Sequence, residues 1–183
     1  MQYGTLRVAW ASCRMAFCAG VDNFLTYISE VLTLIYRTKP EALRSSQTIK
    51  TEEVLRHKCM SDLVSALAER RVYELAYKGM ADLNGELSRT LGFQLFTKAS
   101  ELQRAVTIVE LRNLAVHNRS VVNAVFLSRA RLKGLKVGKE IPMNAEMLLA
   151  AVNFLGAIVT GIDERAGEKF DLPRPIHRKD CCL

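Results

Sequence analysis

A chain of 183 residues, 49% hydrophobic and with 4 prolines and 10 glycines, is long enough to close one hydrophobic core and too apolar for a disordered or fibrous protein. Its 26 lysines and arginines against 19 aspartates and glutamates give a formal charge of +7, compatible with a polyanionic partner and equally with a solubilising surface. Cys13, Cys18, Cys59, Cys181 and Cys182 are odd in number and form no C-x-x-C pair, so they read as reduced thiols in a cytoplasmic protein.

The opening stretch MQYGTLRVAWASCRMAFCAG is apolar but broken by Arg14, and no run of about eighteen uncharged apolar residues follows, so no membrane segment is expected. Residues 5–18 are expected to form a short helix or helical lead-in, joined through Gly20 to a helix over 23–37 whose Phe24, Tyr27, Ile28, Val31, Leu32, Leu34 and Ile35 share one broad apolar face. Pro40 and the polar run Ser45-Ser46-Gln47-Thr48 end it.

A second long helix is expected from Thr51, which can cap it ahead of Glu52 and Glu53, to Gly79, burying Val54, Leu55, Cys59, Leu63, Val64, Leu67, Val72 and Leu75. A shorter helix over 81–91 ends at Gly92, a natural C-cap. Residues 98–117 hold neither proline nor glycine and carry apolar residues at helical spacing, which predicts a helix through the middle of the bundle.

A helical piece over 121–129 turns Phe126 and Leu127 inward. The run RLKGLKVGKEIPM then has extended character, punctuated by Gly134 and Gly138. Asn144 is a good N-cap for a last helix with Leu148, Leu149, Val152, Leu155, Ile158, Val159 and Ile162 as its apolar residues. The polar tail DLPRPIHRKDCCL follows, and Asp180 stands where a prenylation box would need cysteine. The expected organisation is a lead-in over 1–18, an all-α domain over 19–173 and a basic tail over 174–183.

One stretch stands apart: Glu110-Leu111-Arg112-Asn113-Leu114-Ala115-Val116-His117-Asn118-Arg119. Polar groups on an otherwise apolar helix must be paired, face an interface or line a pocket. Asn113 and His117, four apart, lie on one face; Glu110 can join that row, and Arg112 sits about 100° round the axis with a side chain long enough to reach it. An imidazole beside a guanidinium suits RNA cleavage without metal, the imidazole taking the proton of a ribose 2′-OH while the guanidinium steadies charge on the phosphate. Asn113 would orient the histidine or bind phosphate. One histidine does not provide both base and acid, but a twofold-related copy would bring a second His117 and Arg112.

The competing reading of the same residues is that Glu110 and Arg112 form an ion pair and Asn113, His117 and Asn118 finish the helix by hydrogen bonding. His57 beside Arg56 and Lys58, and His177 in the tail, lack neighbours at metal-ligand spacing, so neither metal nor cofactor is expected. Glycine-rich phosphate loops and the G-x-S-x-G nucleophile motif are missing from the sequence. Arg129, Arg131, Lys133, Lys136 and Lys139 could rim the site or be solvated charge, which salt dependence would separate.

The run ELRNLAVHNRSVVNAVFL resembles the signature helix of the higher eukaryote and prokaryote nucleotide-binding (HEPN) superfamily: an arginine, a polar residue, then a histidine four to six positions on. Arg112, Asn113 and His117 match those positions, and His117-Asn118, Val121-Val122, Phe126-Leu127, Asp163 and Lys169-Phe170 match one branch of it. The match spans residues 20–173 and is specific over 106–127; Ser120 stands where relatives in that branch place glycine. The resemblance implies a bundle of four or five helices with a short connector before the last long helix. It also implies a homodimer, with Arg112, Asn113 and His117 as catalytic residues, Glu110 and Asn118 in support, and RNA as substrate. Members of that superfamily act as endoribonucleases in toxin–antitoxin or phage-defence systems, partnered by an antitoxin or a nucleotidyltransferase-like protein. Others are non-catalytic modules for dimerisation or partner binding.

Overall fold

The computed structural model describes residues 2–44, 48–132 and 134–172, with side chains from Val8 onward. Among the described residues the chain is all-α, with seven α-helices: α1 (Gln2–Thr38), α2 (Thr51–Leu55), α3 (Met60–Ala76), α4 (Met80–Leu91), α5 (Ala99–His117), α6 (Ala124–Ala130) and α7 (Ala145–Phe170), plus a 3-10 turn over Pro40–Leu43. The five helices of twelve or more residues form the expected bundle, and the core gathers Phe17, Val21, Phe24 and Ile35 of α1 with Leu75, Leu87, Leu114, Leu155 and Ile162.

The expected break at Gly20 is absent, since α1 runs unbroken through it. One helical glycine costs about 1 kcal/mol, which the buried stripe of Phe17, Val21, Phe24 and Ile28 around it outweighs. A Cβ placed at Gly20 would stand 3.7 Å from Val152 Cγ2, so this position faces α7. One turn pair further along, the Tyr27 hydroxyl donates to Asp163 Oδ1 at 2.6 Å and to the Val159 carbonyl at 3.3 Å. Contacts that advance together along both helices make α1 and α7 parallel neighbours.

The helix expected over 51–79 is two helices. α2 stops at Leu55 and α3 restarts at Met60, with Cys59 extended at the start (φ −152°, ψ 168°). Val54, Leu55 and Cys59, expected in the core, are exposed. The turn between the helices folds α2 back so that Glu53 reaches Arg70 at 2.7 Å. A straight helix would have carried those residues about 25 Å apart.

α4 ends as expected on Gly92 in the left-handed region (φ +58°). The buried Asn84 side chain then clasps the next turn, accepting from the Phe96 amide at 3.0 Å and donating to its carbonyl at 3.4 Å, which satisfies both ends of a buried amide. Arg165 of α7 donates to the Leu95 carbonyl at 2.9 Å and fixes the same connector from the other side.

Of the extended character expected between α6 and α7, one antiparallel bridge is present, Val121 opposite Glu140. Val122 donates to Lys139 and Ile141 to Ser120, each at 2.9 Å, so the connector is stitched to the turn that follows α5. Asn144 caps α7 as expected, accepting from the Met147 amide at 2.9 Å. α7 carries no charged residue between Glu146 and Asp163. It is long and apolar enough to cross a membrane by length and composition, and only 22% of its most apolar window is buried. Leu149 and Val152, two of its apolar residues, are 60% and 45% exposed.

Candidate functional site

α5 supplies the row singled out in the sequence. Its apolar stripe, Ala105, Ile108, Leu111 and Leu114, packs inward and leaves Arg112, Asn113 and His117 on the flanks. The Arg112 side chain is 24% exposed and has two partners: its Nη2 lies 2.7 Å from Asp22 Oδ1 of α1, and its Nη1 donates to Asn113 Oδ1 at 3.1 Å. Its Nε is buried without a partner. The guanidinium therefore reaches round to Asn113, as its length allows, while staying anchored to α1.

His117 is the last residue of α5 and is exposed; among the described residues it makes neither a hydrogen bond nor an ion pair. Helix geometry puts it about 40° from Asn113 and about 140° from Arg112 around the axis, so Arg112 and His117 leave the helix in different directions.

The two supporting residues are engaged elsewhere. Glu110 lies 3.4 Å from Arg129 of α6 and so ties α5 to α6 instead of pairing with Arg112. The Asn118 amide donates to the Leu114 carbonyl at 2.9 Å and its side chain donates to the Val121 carbonyl, closing the turn after the helix. That turn needs two consecutive left-handed residues, Arg119 (φ 52°) and Ser120 (φ 64°). Glycine adopts such angles freely and serine does not, which accounts for glycine being the better fit at position 120.

Sequence reasoning missed Asp22. It lies on α1 far from the motif, and nothing local marks an acidic residue there as the partner of Arg112; only the packing of α1 on α5 does. The same packing places Cys18 near Arg112. Burial raises the Cys18 thiol above its ordinary pKa, an effect the Arg112 charge opposes and Asp22 reinforces, so this cysteine is kept as an unreactive thiol.

Arg119, Arg131, Lys136 and Lys139 are exposed; the Lys139 carbonyl is bonded to Val122 in the turn after the row, whereas Arg129 is tied to Glu110 and Arg131 follows Ala130, whose carbonyl accepts from Gln103 and Thr107 in the first half of α5. Lys133, His177, Cys181 and Cys182 lie outside the described residues. No three His, Cys, Asp or Glu side chains converge at metal-binding range among the described residues. A cleft of ≈ 480 Å³ opens between the 3-10 turn and α3, beside Arg44, Arg70 and Arg71, and includes no residue of α5.

Fold and site together define a helical bundle bearing one surface row of a fixed guanidinium, an amide and an unengaged imidazole. No family model, curated protein or solved structure matches the chain.

Proposed function

We propose that the chain binds RNA along the α5 row and acts there as a metal-independent endoribonuclease. The observation that carries this reading is the exposed, unengaged His117 on the same helix as an Arg112 held in place by Asp22 and Asn113. The motif's resemblance to the HEPN signature supports the same chemistry, and the exposed Arg119, Lys136 and Lys139 supply phosphate contacts beside it.

In this reading the imidazole removes the proton of a ribose 2′-OH, and the 2′-oxygen attacks the adjacent phosphorus. The P–O5′ bond breaks, the 5′-oxygen takes a proton from water, the hydroxide so formed takes the proton back from the imidazolium, and the product strand ends in a 2′,3′-cyclic phosphate. Arg112 steadies the charge on the non-bridging oxygens. Because Arg112 already faces Asp22, phosphate binding exchanges one anionic partner for another.

That ion pair also favours a second reading, in which Arg112 joins α1 to α5 and the chain is a non-catalytic helical module for dimerisation or protein binding. Labelled single-stranded and structured RNAs, incubated in EDTA with native protein, Arg112→Ala and His117→Ala, separate the two. Cleavage to cyclic-phosphate ends that falls at least about a hundredfold in both variants supports the enzyme. Undiminished cleavage in the variants, or none by the native protein, supports the module.

A further inference from the structure

Asp22 holds the place on Arg112 that a phosphate would take. Its Oδ1 lies 2.7 Å from Arg112 Nη2, while Asn113 Oδ1 accepts from Nη1 at 3.1 Å, so each terminal nitrogen of the guanidinium already has an acceptor. The Nε is buried without a partner and closed to a ligand. Carboxylate and phosphate oxygens suit the same guanidinium fork, so an incoming phosphate meets a resident competitor of its own chemistry.

The flank of α1 that carries Asp22 runs back through Cys18 to Arg14, at spacings of four residues that keep all three on one side of the helix. The Cys18 thiol feels the charges of Arg112, Asp22 and Arg14, which gathers them about one locus. Arg14 makes neither a hydrogen bond nor an ion pair among the described residues. It stands about 12 Å from Asp22 along the helix axis, so it can meet a different phosphate of a strand whose backbone also reaches Arg112.

We infer that Asp22 is a selectivity residue: its carboxylate bars small phosphates from Arg112 and leaves the row open to strands that are held at other points as well. The inference rests on the reading of the α5 row as an RNA site. A mononucleotide that displaces Asp22 exchanges one anion for another at Arg112, and that exchange returns little against the freedom the ligand loses on binding. A strand is gripped in addition by Arg14, Arg119, Lys136 and Lys139. With those contacts made, its phosphate meets Arg112 from within the complex, at high effective concentration, and the exchange goes through. Asp22 is 45% exposed, so the displaced carboxylate returns to water at small cost.

Asp22 touches no part of the bound strand and acts through Arg112. The sign of its effect separates this role from a structural one. A residue that merely holds Arg112 in place would, when neutralised, loosen the guanidinium and weaken every ligand, whereas loss of a competitor tightens them.

The test is the binding of two ligands to the full chain: a single-stranded 2′-O-methyl RNA, which lacks the attacking hydroxyl and is not cleaved, and adenosine 5′-monophosphate, titrated to high concentration and followed by the amide shifts of α5. The strand should bind the native protein and bind Arg112→Ala less tightly, which checks the underlying reading by itself. Asp22→Asn should tighten the mononucleotide about fivefold, the size of one screened ion pair, and the strand by less. Neither ligand should gain from Asp22→Asn in an Arg112→Ala background, nor from Asp62→Asn, an equal change of charge at an exposed site on α3. Weaker binding in Asp22→Asn, an equal gain for both ligands, or the same gain in Asp62→Asn or in the Arg112→Ala background would overturn the inference. A strand that binds native protein and Arg112→Ala alike, or binds neither, would remove the reading of the row and the inference with it.

Discussion

The two flanks of α1 solve the problem of a helical surface in opposite ways. Towards α5 the charged groups of the row have found internal partners, Arg112 with Asp22 and Glu110 with Arg129, and of the row's ionisable groups His117 is left unengaged. Towards solvent, beside α7, large apolar side chains such as Met15 and Leu149 stand in water. The lesson is that the polar residues conspicuous in the sequence are largely satisfied within the fold, while the surface with unmet demand is chemically bland. A polar group on an apolar helix stands out against its neighbours, whereas an exposed apolar residue looks like core until burial is known.

The largest stability contrast lies within α1 itself. Phe17 is 1% exposed and Met15 is 70% exposed, two positions apart on opposite faces. Phe17→Ala should cost about 3–5 kcal/mol in denaturant unfolding. Met15→Ala should change stability by less than about 0.5 kcal/mol. Equal losses would mean that Met15 is packed within its own chain.

A smaller effect sharpens the other side of the comparison. Ser120 holds φ at 64° in the turn that ends the α5 row, so Ser120→Gly relieves the left-handed conformation and should raise stability by about 1 kcal/mol. A loss instead would show that the serine side chain is held in place by more than the backbone.

The smallest effect concerns the pairing itself. Asp22 is 45% exposed, so solvent screens its attraction to Arg112. A double-mutant cycle of Asp22→Ala and Arg112→Ala should give a coupling of about 0.5–1 kcal/mol. A coupling near zero would remove the ion pair as support for the non-catalytic reading. In RNA binding, Asp22→Asn should tighten association and Arg112→Ala weaken it if the α5 row meets phosphate.

Much of the fold was legible because it rests on local rules. Gly92 ends α4 since glycine takes the left-handed region readily, and Asn144 starts α7 since its side chain accepts an amide that the first turn leaves unpaired. The site was legible as residue types on one helix, including the reach of Arg112 to Asn113. It was not legible as a set of partners. Asp22 and Arg129 lie on other helices, and an ion pair between distant segments leaves no periodic trace in either.

Periodicity misled where apolar residues lack a surface to cover. Val54 and Leu55 fit a long helix by spacing but sit on α2, which folds back on α3. Leu149 and Val152 fit the apolar spacing of α7 but stay 60% and 45% exposed, Val152 at the margin of the contact with α1 beside Gly20. The sequence by itself determined the all-α class, the caps at Gly92 and Asn144, and the polar row on α5, because each depends on neighbours within a few residues, whereas Lys50 and not Thr51 holds the cap position of α2. The tertiary structure alone decided that α1 is one helix, that it lies parallel to α7, which of its flanks meets α5, and which apolar residues remain in water. Burial is a property of the surfaces that meet, and no single helix carries the record of what lies against it.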